Sequence, residues 1–149
     1  MIQTINNKDS QIAERILAIQ IPAYEVEADL IGFYGIPQLK DTIETVLASE
    51  EIFIGFSLEN QLAGFISYEE TNSEVDICRL VVNPEYFRRG IARSLLLDLI
   101  QRTNGKRLIV STGSKNLPAI TLYEKLSFVR YDEVEIATGI YLSQFARKC

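Results

Sequence analysis

Arg88, Arg89, Gly90 and Ala92 fall between a β-branched run and a helical one, and that placement makes an anion site. Residues 74–82, Glu-Val-Asp-Ile-Cys-Arg-Leu-Val-Val, alternate and carry many β-branched side chains, which predicts a strand ending near Val82. Asn83-Pro84 breaks it, because proline cannot donate to a ladder and steers its predecessor away from helix. From Gly90 onward, Leu95, Leu96, Leu99 and Ile100 follow helical spacing, so the loop of residues 85–89 feeds a helix N-terminus. Unpaired first-turn amides, the positive end of the helix dipole and the arginines converge there. Gly90 lets a ligand approach the backbone, and the small Ala92 keeps that approach clear. The loop lacks the Gly-x-x-x-x-Gly-Lys-Ser/Thr spacing of a nucleotide P-loop and the three spaced glycines of a dinucleotide fingerprint.

Two further groups carry chemistry. Asn116 can cap a helix that holds Pro118 in an early position. Tyr123 stands seven residues beyond Asn116, two turns on, and shares its face to within about 20°. Glu74 and Asp76 are two apart on one strand and so share a face, either as bases or as solvated strand residues. Cys78 faces the same way, and a buried strand cysteine is ordinarily core. The chain has no histidine, which excludes Ser-His-Asp, Cys-His and His-metal chemistries. Proton transfer then falls to Asp, Glu, Tyr, Cys, Lys or water. Cys78 and Cys149 make neither a metal spacing nor a disulfide framework.

Phe87-Arg88-Arg89-Gly90-Ile91-Ala92 resembles the Gln/Arg-x-x-Gly-x-Gly/Ala acetyl-CoA pyrophosphate loop of the GNAT superfamily of N-acetyltransferases. Phe87 stands where that motif carries Gln or Arg. Asn116-Leu-Pro-Ala119-Ile-Thr-Leu-Tyr123-Glu-Lys-Leu-Ser-Phe128 is similar to the family's Asn-x-x-Ala-x-x-Leu-Tyr-x-x-x-Gly-Phe signature, with Ser127 in place of Gly. The resemblance covers nearly the whole chain and is strongest over residues 76–128. It implies acetyl-CoA as cosubstrate and no metal. The pyrophosphate would rest on the segment Phe87, Arg88, Arg89, Gly90, Ile91, Ala92, Arg93 and Ser94. The pantetheine arm would follow Leu80, Val81 and Val82 and bond Asn116, with Tyr123 protonating the departing thiolate. A strand amide there could also polarise the thioester carbonyl. Asp76 lies 11 positions before the loop motif, where histone-acetylating relatives place a glutamate, and its shorter side chain favours a water relay. Glu74 is the other candidate base. Tyr24, Phe33 and Tyr34 border the implied amine cleft, either as acceptor-binding or as packing residues. The implied activity is acetyl transfer to a primary amine of a small molecule by direct attack in a ternary complex. Modification of a protein N-terminus or lysine, and acyl-CoA sensing without catalysis, are the alternatives.

The elements that must position these residues follow from patterning. Asp9 or Ser10 can cap a helix carrying Ile12, Ile16 and Leu17, predicted to end before Pro22. Residues 23–29 mix acidic and apolar types and take no assignment, and Gly32, Gly35 and Pro37 mark a loop. A helix is predicted over 38–48, then strands over 52–58 and 62–68 joined by a turn at Glu59-Asn60-Gln61. A turn at Thr71-Asn72-Ser73 leads into the motif strand, and the helix after the loop should stop at Asn104-Gly105. Residues 107–111 should run parallel to the motif strand, because a strand–helix–strand unit forces a crossover. A helix from Ala119 to Leu126 and strands over 129–136 and 140–147 complete the chain.

The expected fold is α/β (α+β): one domain over residues 1–149, with a GNAT-type mixed sheet and helices on both faces. An antiparallel meander precedes a strand–helix–strand unit whose parallel pair splays. A length of 149 residues allows a full core in one domain. The net charge of −5 argues against a nucleic-acid partner and is compatible with a cationic substrate. No apolar run reaches the roughly 18 residues of a membrane helix, and the first residues lack a signal-peptide pattern. The expectation is therefore a cytoplasmic protein without a membrane partner, and a homodimer is compatible with it.

Overall fold

A computed structural model describes residues 1–104 and 106–148. Its elements are β1 (Ile2–Ile5), α1 (Ser10–Ile31), α2 (Ile43–Ala48), β2 (Ile52–Leu58), β3 (Gln61–Glu70), β4 (Glu74–Val82), α3 (Ile91–Arg102), β5 (Arg107–Gly113), α4 (Leu117–Lys125), β6 (Val129–Ala137) and β7 (Ile140–Arg147). The strands form one sheet in the order β1-β2-β3-β4-β5-β7-β6. Each neighbouring pair is antiparallel except β4 with β5, as the crossover through α3 requires. Alternation along β2, β3 and β4 gives the sheet two apolar faces. Phe53, Phe65 and Val81 pack with Ile16 and Val46 under α1 and α2. Ile66, Val75, Tyr123 and Phe145 pack with Leu95, Leu96 and Leu99 under α3 and α4. Full burial of each of those three leucines contributes about 1.5–3 kcal/mol relative to exposure. Glu59 and Asn60, at φ 50° and 65°, form the β2–β3 turn, two residues whose left-handed backbone matches the twist of the strands.

Three expectations change. α1 does not end before Pro22 but runs through it to Ile31. Asp9 caps its start by accepting from the Gln11 and Ile12 amides, and Gly32 closes it at φ 71°. The buried stripe Ala13, Ile16, Gln20, Tyr24, Ala28 and Ile31 continues across the proline. Pro22 and Ala18, whose carbonyl loses its amide partner, are both exposed, so the missing bond falls on the solvent-facing side of the helix. Packing along the whole stripe outweighs the roughly 3 kcal/mol that an interior proline costs. Residues 23–29 are therefore helical.

The helix predicted over 38–48 is instead a 3-10 turn, Pro37–Lys40, followed by α2 from Ile43. Asp41 is extended between them and pairs with Arg79 at 3.0 Å, after which a Thr42–Thr45 capping box restarts the helix. β1 has no counterpart in the sequence pattern. Pairing with β2, from Ile2↔Phe56 to Ile5↔Phe53, makes it a strand. α3 ends at Arg102 with Thr103 as its cap, just before the predicted stop at Asn104-Gly105, of which Gly105, like the terminal Cys149, lies outside the described residues. No helix among the described residues is long and apolar enough to cross a membrane.

Candidate active site

Three local devices meet at one cleft of about 1290 Å³. The first is the start of α3. Gly90 holds the N-cap position at φ 76°, and no side chain caps the helix. The first helical bond runs from the Ser94 amide to the Gly90 carbonyl at 3.0 Å, which leaves the amides of Ile91, Ala92 and Arg93 without helical partners. A Cβ added at Gly90 would meet nothing within 4 Å, so the space beside those amides is open. The left-handed backbone, not crowding by the protein, is what calls for glycine here. Arg88 precedes it at φ 67°, also left-handed.

The second device is a gap in the sheet. β4 and β5 pair only from Glu74↔Arg107 to Asp76↔Ile109 and then separate. β4 stays paired with β3 to Val82, and β5 with β7 to Gly113. Each strand thus keeps one row of backbone N–H and C=O groups facing the opening. A bulge lies at the parting: Ser67 pairs with Arg79 and Tyr68 with Ile77, leaving Cys78 unpaired. The bulge reverses the phase of β4, because Ile77 packs toward α3 while Val81 packs toward α1. Arg79 anchors this turn-over. It binds Glu51 at 3.1 and 3.3 Å, Asp41 at 3.0 Å and Gln20 at 2.9 Å, and it lies over the Phe53 ring. The Gln38 amide donates to the Cys78 carbonyl at 3.4 Å. Burial and the nearby carboxylates of Glu51, Asp76 and Glu69 push the Cys78 thiol up to about 12, so it remains protonated and is a poor nucleophile.

The third device joins α4 to α1. Asn116 caps α4 by accepting from the Ala119 amide at 3.4 Å. Its own amide donates to Thr112 at 3.1 Å and to Glu27 at 3.2 Å. Tyr123 is 4% exposed, with its ring 5.5 Å from Phe128 and 5.8 Å from Phe145. Its hydroxyl has no hydrogen-bond partner among the described residues and opens on the cleft. Burial and then the charge of Glu27 raise its pKa, and the same two causes raise that of Tyr24. Both phenols are therefore protonated at neutral pH.

Of the residues expected to hold a cosubstrate, Leu80, Val82, Phe87, Arg88, Gly90, Ile91, Ala92, Arg93, Asn116 and Tyr123 line the cleft. Val81 does not, because the bulge turns it into the core under α1. Arg89 stacks on the Tyr86 ring at 5.2 Å, and Ser94 lies one turn into α3, both outside the lining. Asp76 lines the cleft, and burial, then Glu69, Glu74 and Glu51, raise its carboxyl pKa. Glu74 lies outside, paired with Arg107 at 2.6 Å. Tyr24 and Phe33 line the cleft, whereas Tyr34 is exposed and donates to Asp29. The sequence reading missed Glu27 and Gln38, which also line the cleft. The three-residue spacing of Tyr24 and Glu27 on one helical face was the signal, obscured once the helix was stopped at Pro22.

A parallel pair that splays beside a helix start with free amides agrees with the acetyltransferase fold that the sequence motifs imply. The chain belongs to the Acetyltransferase (GNAT) family, whose family model matches residues 14–128. It is 42% identical over 146 residues to the UPF0157 protein YqkA of Bacillus subtilis (strain 168), a match covering 97% of this chain and 43% of that protein. It is 29% identical over 83 residues to the ribosomal protein bS18-alanine N-acetyltransferase of Escherichia coli (strain K12), covering 52% of this chain and 56% of that one. The chain thus spans about half the length of the curated relatives it matches. Among solved structures, the Escherichia coli ribosomal-protein-S18-alanine N-acetyltransferase superposes with a TM-score of 0.79 at 19% identity, covering 99% of this chain and 92% of that one. The PaiA N-acetyltransferase of Thermoplasma acidophilum, solved in complex with coenzyme A, superposes with a TM-score of 0.77 at 17% identity, covering 100% and 99%. At these identities the structural likeness is one of fold.

Proposed function

We propose that this chain is an acetyl-CoA-dependent N-acetyltransferase that acts on a primary amine of a small molecule by direct attack in a ternary complex, in the cytoplasm. The observation that carries the reading is the uncapped start of α3 opening on the same cleft as the Tyr123 hydroxyl. The open space at Gly90 and the unpaired edges of β4 and β5 fit a long ligand with a pyrophosphate at one end and amides along its arm. Acetyl-CoA supplies the acyl thioester. The amides of Ile91, Ala92 and Arg93, with the side chains of Arg88 and Arg93, hold the pyrophosphate. The free edge of β4 bonds the arm, and an amide at the bulge donates to the carbonyl oxygen as charge builds on it. Asp76 takes the proton released by the attacking amine through a water, and Tyr123 gives its proton to the sulfur as the carbon–sulfur bond breaks.

The relatives that acetylate bS18 alanine favour a second reading, in which the acceptor is a protein N-terminus. Thermal unfolding with CoA, ATP and NAD at equal concentration tests the cosubstrate. CoA should raise the melting temperature well above the other two, and Gly90→Val should abolish the shift. Equal stabilisation by ATP would reduce the site to a generic phosphate cradle. Thiol release from acetyl-CoA over a panel of amines and N-terminal peptides then separates the two acceptors, and CoA binding without any turnover would leave a sensor.

A further inference from the structure

Resting on the acetyl-transfer reading, we infer that Glu27 anchors the acceptor as it enters in its ammonium form, which gives one proton to water before the neutral amine attacks, and that the acceptor is a cationic amine with an apolar body. Glu27 sits on the cleft wall formed by the second half of α1, beyond Pro22. It accepts one hydrogen bond, from Asn116, and forms no ion pair among the described residues. Arg79 also lines this cleft, but Glu51, Asp41 and Gln20 already engage it. A half-buried carboxylate with a single neutral donor keeps acceptor capacity and an uncompensated charge, and a ligand cation supplies what it lacks.

The surroundings define the rest of the ligand. Val26, Leu30, Phe33 and Ile36 line the same cleft from α1 and the segment after it. Val26 and Leu30 are 37% and 46% exposed, large apolar side chains turned to solvent inside a concave site. A ligand with an aliphatic or aromatic body covers them, whereas a polyhydroxylated amine leaves them wet and its own hydroxyls poorly matched. Asn116 meanwhile fixes Glu27 from the side of α4, since its oxygen caps that helix and its amide is shared between Thr112 and Glu27. Glu27 is therefore placed by packing of α1 on the sheet and by one side chain of the cosubstrate wall.

Binding of hexylamine, hexanol and glucosamine, measured by calorimetry without CoA, tests the inference independently of catalysis. Hexylamine should bind roughly 10- to 100-fold tighter than hexanol, the scale of a hydrogen bond to a charged group. Glucosamine should bind more weakly than hexylamine. Glu27→Gln keeps the shape and the oxygen that accepts from Asn116, and it should bring hexylamine down to the level of hexanol. Equal binding of hexylamine and hexanol by the wild type, which requires no variant, would overturn the ammonium anchor. So would an unchanged preference in Glu27→Gln. Tighter binding of glucosamine would overturn the apolar body. The CoA shift of Glu27→Gln is measured alongside: an unchanged shift supports an acceptor role, and its loss would assign Glu27 to the cosubstrate instead. Absence of a CoA shift in the wild type would remove the acetyl-transfer reading, and with it the acceptor role, whatever the amines do.

Discussion

In the proposed reaction Tyr123 is the side chain that protonates the departing sulfur. Its ring is locked between Phe128 and Phe145 while the hydroxyl faces the cleft, so Tyr123→Phe removes one atom and leaves the packing. The rate of acetyl transfer should fall by about 10²-fold or more with CoA affinity little changed, as measured by steady-state kinetics on any turned-over amine. Asp76 makes a prediction about stability. Burial and neighbouring carboxylates raise its pKa, so the folded state holds the proton more tightly than the unfolded chain does. The stability this contributes is complete below the ordinary aspartate value, about 3.9, and is lost as pH rises through the higher folded value. Asp76→Asn should therefore unfold at a higher temperature than the wild type at neutral pH, and the two should converge below about pH 4. A wild type as stable as the variant at pH 7 would contradict the shift. The placement of both on the cleft was legible in the sequence because their motifs are local. That of Glu27 was not, since it depends on how far α1 continues past Pro22.

At the scale of elements, helix ends decide more than helix interiors. Gly90 starts α3 without a side-chain cap, and Asn116 starts α4 with one. The free amides are consequently confined to the first. α4 ends at Lys125, and Ser127, just past its C-cap Leu126, has φ 71° where the family signature carries glycine. A left-handed non-glycine costs about 1–2 kcal/mol, and glycine gives back about 0.5–1 of that in lost chain entropy. Ser127→Gly should then stabilise the protein by roughly 0.5–1 kcal/mol in urea unfolding, with little effect on turnover. A destabilised variant would mean that the serine hydroxyl does something the backbone does not reveal. The helix predicted over 38–48 failed for a related reason. Its residues favour helix, but Asp41 serves Arg79 and Gln20, and a side chain committed elsewhere ended the run.

At the scale of the molecule, one buried cation ties five segments together. Arg79 of β4 reaches Gln20 of α1, Asp41 before α2 and Glu51 before β2, and Ser67 of β3 completes the shell by donating to Glu51 at 2.6 Å. Arg79→Ala leaves two carboxylates unpaired and should cost about 3–5 kcal/mol, read from denaturant midpoints. A loss under about 1 kcal/mol would mean that water replaces the guanidinium without penalty. Nothing in the spacing of these residues announces the network. Alternation, helix periodicity and turn residues were enough for β2 to β7, for α3 and α4, and for the order that makes β4 and β5 parallel, because each is set by neighbours a few positions away. The passage of α1 through Pro22, the strand character of β1, the division at Asp41 and the bulge at Cys78 depend on contacts between distant segments. In each case the burial or pairing gained across the chain exceeds the local preference it overrides. That long-range packing carries Glu27 into the cleft, turns Val81 away from it, and leaves Glu74 tied to Arg107 at its edge.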